Sequence, residues 1–293
     1  MGSHEGLLGP ILFLIYINDM PSVLTNTCKL FADDAKIFGD VSNLETNLQH
    51  DIDKLHSWSE TWQLPFNVSK CKCLHIGRNN PDNSYNMNGH VLEDINSQKD
   101  LGVIIDRELK FHLQTDAAVK KANQVLGMIN RTIQTKTEKT IPLLYMSLVR
   151  PHLEYANVVW GPKYKMDQQK IERVQRRATK LIQNIRNFSY QDRLRYLNIP
   201  SLHYRRLRGD MIQTFKIITG VSNVDKDKYF KPAKNVGTRG HRYKLYKQQT
   251  RSFQKFNSFS NRVINEWNKL PNYVVEAKSV NNFKNLLDKH WID

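Results

Sequence analysis

Two adjacent carboxylates, Asp33 and Asp34, stand between two short hydrophobic arms in Cys28-Lys29-Leu30-Phe31-Ala32-Asp33-Asp34-Ala35-Lys36-Ile37-Phe38. Residues 30–32 and 37–38 read as strands and the polar step between them as a tight turn, so both aspartates are expected at the tip of a β-hairpin, within reach of solvent. Like charges held side by side repel, so a fold that keeps them together rewards a cation beside them, and hard oxygen donors suit Mg²⁺. In phosphoryl transfer such carboxylates hold the ions that stabilise the attacking and leaving oxygens. Asp-Asp is also common in plain turns, because Asp tolerates turn geometry and caps its own backbone. The pair alone leaves both readings open.

The elements that must position the pair follow from the pattern around it. Gly9-Pro10 precedes the apolar run Ile11 to Met20, which reads as a buried helix with Pro10 in its first turn. The run follows Gly9-Pro10 without a basic leader and is too short to span a bilayer, so it is expected to be neither a signal-peptide core nor a membrane helix. Ser42-Asn43-Leu44-Glu45 is a capping-box pattern, and Leu44, Leu48, Ile52, Leu55 and Trp62 recur at helical spacing. A helix over about 43–62 should therefore lay its apolar stripe on the sheet that carries the aspartates. Cys71, Cys73 and His75 alternate along a strand and share one face, a pattern that raises zinc but matches no common zinc knuckle and fits packing better. Residues 79–88 form a polar turn cluster. Residues 98–106 read as a further strand in which Gly102 marks a bulge or a close approach.

Charge divides the chain. Of the 293 residues, 1–112 carry 9 Lys+Arg against 15 Asp+Glu, and 113–293 carry 35 against 13, giving −6 and +22 within a total of +16. An acidic half suits cations and a basic half suits a polyanion. Three cysteines give no disulfide framework and point to a reducing, intracellular compartment. Beyond residue 113 the pattern is helical: 115–134 with Val119, Ala122, Leu126, Ile129 and Ile133 on one face, 138–150 with Pro142 early, then 170–185. In 170–185 the stripe Ile171, Val174, Ala178, Leu181, Ile182 and Ile185 lies opposite Arg173, Arg176, Arg177 and Lys180. Such a face is commonly just solvated. Here Arg205, Arg206 and Arg208 continue it with little acid nearby in sequence, which suits phosphate contacts. Residues 220–250 read as a basic connector in which Tyr243 and Tyr246 could stack on bases, or as a linker. Residues 253–291 read as a small helical unit packed back on the rest, and no internal repeat is present.

The order of these elements resembles the reverse transcriptases of non-LTR retrotransposons of the jockey or chicken-repeat type. Leu8-Gly9-Pro10-Ile11-Leu12-Phe13-Leu14-Ile15-Tyr16-Ile17-Asn18-Asp19 is similar to the segment after the family's nucleotide-pocket loop, and Phe31-Ala32-Asp33-Asp34 to its metal-binding hairpin. Asn67-Val68-Ser69-Lys70 resembles the next palm motif, and Asp100-Leu101-Gly102-Val103 the primer-grip hairpin. The resemblance implies an α+β fold: a partial polymerase palm over 1–112, an antiparallel sheet with helices on one face, then a thumb-like helical domain over 113–218, a connector over 219–250 and a C-terminal unit over 251–293. It implies RNA-directed DNA synthesis with two Mg²⁺ ions, or Mn²⁺ in their place, on an RNA template, a DNA primer and a dNTP, without a membrane. Asp33 and Asp34 would be the catalytic metal ligands, Lys70 would assist the leaving pyrophosphate, and Leu101 and Gly102 would grip the primer. Arg173, Arg176, Arg177, Lys180, Arg205, Arg206 and Arg208 would contact nucleic acid. The family's further catalytic aspartate and its fingers precede the Gly-Pro segment, so these residues alone are expected to be inactive. The other reading is a non-catalytic nucleic-acid-binding remnant of a retroelement.

Overall fold

The computed structural model describes residues 5–41, 47–233 and 240–292. It is mixed α and β, and the chain divides into two compact units: the described residues up to Gln98 with Asp106–Leu109, and Lys99–Ile105 with the residues from Lys110 onward.

In the first unit, α1 (Glu5–Tyr16) is followed by the hairpin strands β1 (Thr27–Phe31) and β2 (Asp34–Phe38) and by α2 (Leu48–Thr61). The core gathers Ile17, Met20, Leu55 and Trp58, with Phe13, Leu24, Leu30, Ile37, Leu64 and Phe66 packed against it. The stripe of α2 thus meets the inward face of the hairpin. The expectation of a buried first helix is corrected. Ile11, Leu12, Leu14 and Ile15 are at least half exposed, because a helix apolar on nearly all sides offers more surface than this small core covers, and among the described side chains of α1 only Phe13 packs on it. Pro10 lies inside α1 rather than in its first turn, where its missing N–H leaves one carbonyl without an intrahelical donor. The capping-box residues Ser42 to Glu45 lie outside the described residues. Among those described, Asn47 caps α2, its Oδ1 accepting from the Gln49 N–H at 3.0 Å.

A single antiparallel sheet is also not what forms. The described strands pair as four two-stranded sheets, and Lys72–Cys73 runs parallel to Glu93–Asp94. Strands of two residues make too few ladder bonds to recruit a third partner. Side chains supply what the sheets lack: the Gln49 carboxamide donates to the Asn86 carbonyl at 2.8 Å and accepts from its N–H at 2.9 Å.

The second unit is helical. Helix α3 (His112–Thr132) buries Ala118, Ala122, Leu126 and Ile129. A helical run over 140–154 widens to a π-turn at Tyr145–Val149, where the Arg150 N–H reaches the Tyr145 carbonyl. Pro151 explains the widening, since its ring would clash with an α-helical carbonyl four residues back. Helices α4 (Lys165–Lys180), α5 (Leu202–Ile218) and α6 (Val280–Ile292) complete the frame.

Residues 253–291 share a core with α5, in which Met211 and Phe215 pack with Val263, Trp267, Val275, Phe283 and Leu287. Phe215 stacks on Phe283 with centroids 4.4 Å apart. The described part of 219–250 joins the same core through Phe230 and Leu245, so the linker reading is corrected there. Its anchor is the Asn268 carboxamide, which exchanges two 2.8 Å hydrogen bonds with the Leu245 backbone.

His241 is buried, and its Nε2–H donates to the Trp267 carbonyl at 3.0 Å. Burial pushes its pKa below the ordinary value, against the opposing pull of that carbonyl. The unfolded imidazole, ordinary at about 6.5, therefore takes up a proton that the folded one resists, and falling pH favours unfolding. Thermal melts between about pH 7.5 and 5 are expected to show a falling Tm as pH drops, with a flatter profile for His241→Asn.

Candidate catalytic hairpin and nucleic-acid face

Strands β1 and β2 pair from Thr27↔Phe38 to Phe31↔Asp34, which leaves Ala32 and Asp33 as a two-residue turn. Asp33 and Asp34 are both exposed at this tip. Register places Cys28, Leu30, Ala35 and Ile37 on one face, of which Leu30 and Ile37 meet the core; Phe31 and Asp34, Lys29 and Lys36, and Thr27 and Phe38 share the other. The turn is strained. Ala32 has φ +51°, a left-handed conformation that costs an L-residue about 1–2 kcal/mol.

What holds the hairpin is a residue that the helical stripe of α2 had hidden. Asp51 is fully buried, and its carboxylate accepts from the N–H of Thr25 at 2.9 Å and of Asn26 at 2.7 Å, the two residues that lead into β1. Burial pushes the Asp51 pKa up, but these backbone donors outweigh it and hold the carboxyl below the usual carboxylate range. Lys54 stands 3.9 Å from the carboxylate and donates to the Thr25 hydroxyl at 3.2 Å. The sequence carried a signal, because Asp51 falls at Leu48 + 3 and Leu55 − 4, an acid inside an apolar stripe.

Lys70 ends the short turn Val68–Lys70, exposed, with no hydrogen bond or ion pair to Asp33 or Asp34 among the described residues. No group of three or more His, Cys, Asp or Glu side chains is placed to hold a metal among those residues. Among the described residues, Asp33 and Asp34 are therefore a pair of hard oxygen donors without a third protein carboxylate gathered beside them. Of the zinc candidates, only Cys73 lies in a strand; its Sγ is 3.5 Å from Nε2 of the buried His75, which stacks on Tyr85.

Residues 98–106 are two strands, not one. Ser97–Asp100 and Val103–Asp106 form a hairpin whose turn is Leu101 (φ +44°) and Gly102 (φ +84°), two left-handed residues as the tightest hairpins require. Tyr155 packs on this tip: its hydroxyl donates to the Leu101 carbonyl at 2.9 Å, and a Cβ on Gly102 would lie 3.1 Å from its ring. Of the two readings of Gly102, the close approach is realised, and a two-residue turn stands where a bulge was the alternative.

On α4, Ile171, Val174 and Ala178 are buried while Arg173, Arg176, Arg177 and Lys180 are exposed. The four do not stand alike. The Arg177 guanidinium donates to Asn123 on α3 at 3.2 Å, whereas that of Arg176 lies 4.7 Å over the Tyr190 ring on the other side of the helix. Two of the three arginines of α5 are engaged elsewhere. Arg205 pairs with Glu154, which raises its pKa, and Arg208 grips Asp288 through two bonds of 2.6 and 2.7 Å. Burial pushes the Arg206 pKa down, and its two terminal nitrogens are buried without hydrogen-bond partners. Their acidic partners lie about 50 and 80 residues away in sequence, which is why the run looked free of acid.

Against known proteins, the chain is 23% identical over 223 residues to the RNA-directed DNA polymerase from mobile element jockey of Drosophila melanogaster. It is 24% identical over 196 residues to the probable RNA-directed DNA polymerase from transposon X-element of the same species, and 27% identical over 161 to that from mobile element jockey of Drosophila funebris. The chain is similar to the reverse transcriptases of non-LTR retrotransposons. These matches cover 71%, 60% and 52% of the chain but only 24%, 21% and 16% of the relatives. No family model and no solved structure matches.

Two backbone predictions follow from the turns. Ala32→Gly is expected to raise the stability of the first unit by about 0.5–1 kcal/mol in urea melts, because glycine relieves the left-handed strain. Gly102→Ala is expected to lower that of the second unit by roughly 1–2 kcal/mol through φ and the Tyr155 ring together.

Proposed function

We propose that this chain serves RNA-directed DNA synthesis in a non-LTR retrotransposon, with the β1–β2 tip as its metal-binding element and the helical unit on the template–primer. The observation that carries this reading is the Asp33-Asp34 pair on an exposed, strained two-residue turn, in a chain similar to polymerases of mobile elements. The donor chemistry fits a hard divalent cation. Asp33 and Asp34 would hold Mg²⁺, two ions in the working site with Mn²⁺ able to replace them, and the metal when bound would stabilise charge on the attacking and leaving oxygens. Lys70 supplies positive charge for the departing pyrophosphate of the dNTP. Leu101 and Gly102, fixed by Tyr155, present backbone to the DNA primer strand as a primer grip. Arg173, Arg177 and Lys180, with Arg176 beside them, neutralise phosphates of the RNA–DNA duplex. Arg205 and Arg208 hold α5 in place through Glu154 and Asp288, and with Arg206 they add to the local field.

One observation favours a second reading, nucleic-acid binding without catalysis: the described residues bring together two carboxylates and no third. Residues 1–293 by themselves are accordingly expected to extend no primer on an RNA template with Mg²⁺, and extension above that of an Asp33→Ala control would refute this. Binding is expected under both readings. Fluorescence anisotropy of an RNA–DNA duplex across a salt series should show steep salt dependence, and changing Arg173, Arg176, Arg177 and Lys180 together to Gln should flatten the slope by roughly 3. Gln keeps the helix propensity near that of Arg. Identical slopes would return this helix to a solvated face.

A further inference from the structure

Three contacts fix how α3 and α4 lie against each other. His112 Nδ1 meets Asp167 at 2.5 Å, Lys170 Nζ meets Asp116 at 2.5 Å, and Arg177 meets Asn123 at 3.2 Å. The numbers rise together, so the helices run parallel with a constant offset of 54 or 55 residues. Two helices packed side by side leave a groove along the solvent side of their contact.

Helical geometry then says which cations line it. At about 100° per residue, Arg173 and Lys180 lie within roughly 60° of Arg177 on α4, whereas Arg176 is about 100° away. On α3 the same arithmetic places Lys120 and Arg131 within about 80° of Asn123, and Lys121 about 160° away. Lys120, Lys121 and Arg131 are all exposed. Between Lys120 and Arg131 sits Gly127, where an added Cβ would meet only the Arg131 guanidinium, at 3.6 Å. A glycine inside a helix costs about 1 kcal/mol relative to alanine, and here it leaves room over the helix for the Arg131 guanidinium. The groove is closed at one end by the Lys170–Asp116 ion pair and at the other by Glu138, which accepts from Asn184 at 3.3 Å.

We propose that Lys120 and Arg131 form a second cationic rank facing Arg173, Arg177 and Lys180, and that the groove between the ranks takes one phosphodiester backbone of the bound duplex. Packed helices have axes about 8–10 Å apart, so the furrow between them admits one strand's phosphates and excludes a whole duplex. Cations on both walls then contact the same strand, and the acidic residues at each end limit how much of it is held. The inference rests on the nucleic-acid reading of α4 given above, and adds residues that no sequence pattern of a single helix reveals.

The test uses the full chain, a labelled RNA–DNA duplex and a salt series. Lys120→Gln with Arg131→Gln is expected to flatten the slope of log K against log salt by about 1.4 to 1.8, while Lys121→Gln, one residue along on the far side, leaves it unchanged. Gly127→Leu is expected to raise Tm through better helix propensity and yet weaken binding severalfold by crowding the Arg131 guanidinium. A Lys121→Gln effect equal to that of Lys120→Gln would overturn the groove. So would a Gly127→Leu chain that folds and binds as wild type. If the double variant is silent while the quadruple α4 variant flattens the slope, the groove is wrong and the α4 reading stands; if neither flattens it, both fall.

Discussion

A buried carboxylate that must find partners sets the geometry of the first unit. Asp51 has no access to water, so each of its oxygens needs a donor, and the two that it finds are backbone amides of Thr25 and Asn26. Hydrogen bonds to a charged acceptor are worth about 1.5–3 kcal/mol each, and losing the acceptor would leave two amides unsatisfied as well. A lone two-stranded hairpin is marginal in water. Here the anchored entry into β1, together with Leu30 and Ile37 in the core, makes the hairpin stable enough to carry a strained Ala32 and two adjacent negative charges at its tip.

The second unit obeys a different constraint, the surplus of positive charge. Part of that surplus is spent internally: Arg205 on Glu154, Arg208 on Asp288, and Arg262 on Asp210 through two bonds of 2.8 Å. Arg262 also donates to the carbonyls of Asn157 and Val158, tying the segment after the 140–154 run to the C-terminal helices. What remains outward on α3 and α4 is the portion free to meet a polyanion. Fold and the proposed interface thus draw on the same residue type, and only three-dimensional pairing separates the two uses.

The limits of the sequence follow from this. Periodicity located α2, α3 and the stripe of α4 because one face of each is buried, and a buried face leaves a mark every three to four residues. The Asp33-Asp34 turn was legible because flanking strands and polar turn residues agree. Burial of α1 was not, since an all-round apolar helix signals an appetite for contact and not the contact itself. Strand 98–106 was misread as continuous because Leu101 is a poor advertisement for a left-handed turn, and only Gly102 hinted at one. Asp51 holds the entry into β1, and Tyr155 the Leu101–Gly102 tip, through contacts 25 and 54 residues away, a distance at which no single-sequence pattern names the partner.

The central claim is that Asp51 holds the aspartate hairpin in place. Hydrogen exchange read by mass spectrometry on wild type and Asp51→Asn tests it most directly, because Asn keeps the shape but can accept at only one atom. The account predicts that peptides covering Thr25 to Phe38 lose protection in Asp51→Asn while peptides covering His112 to Thr132 keep theirs. Unchanged protection across Thr25 to Phe38 in the variant would contradict it.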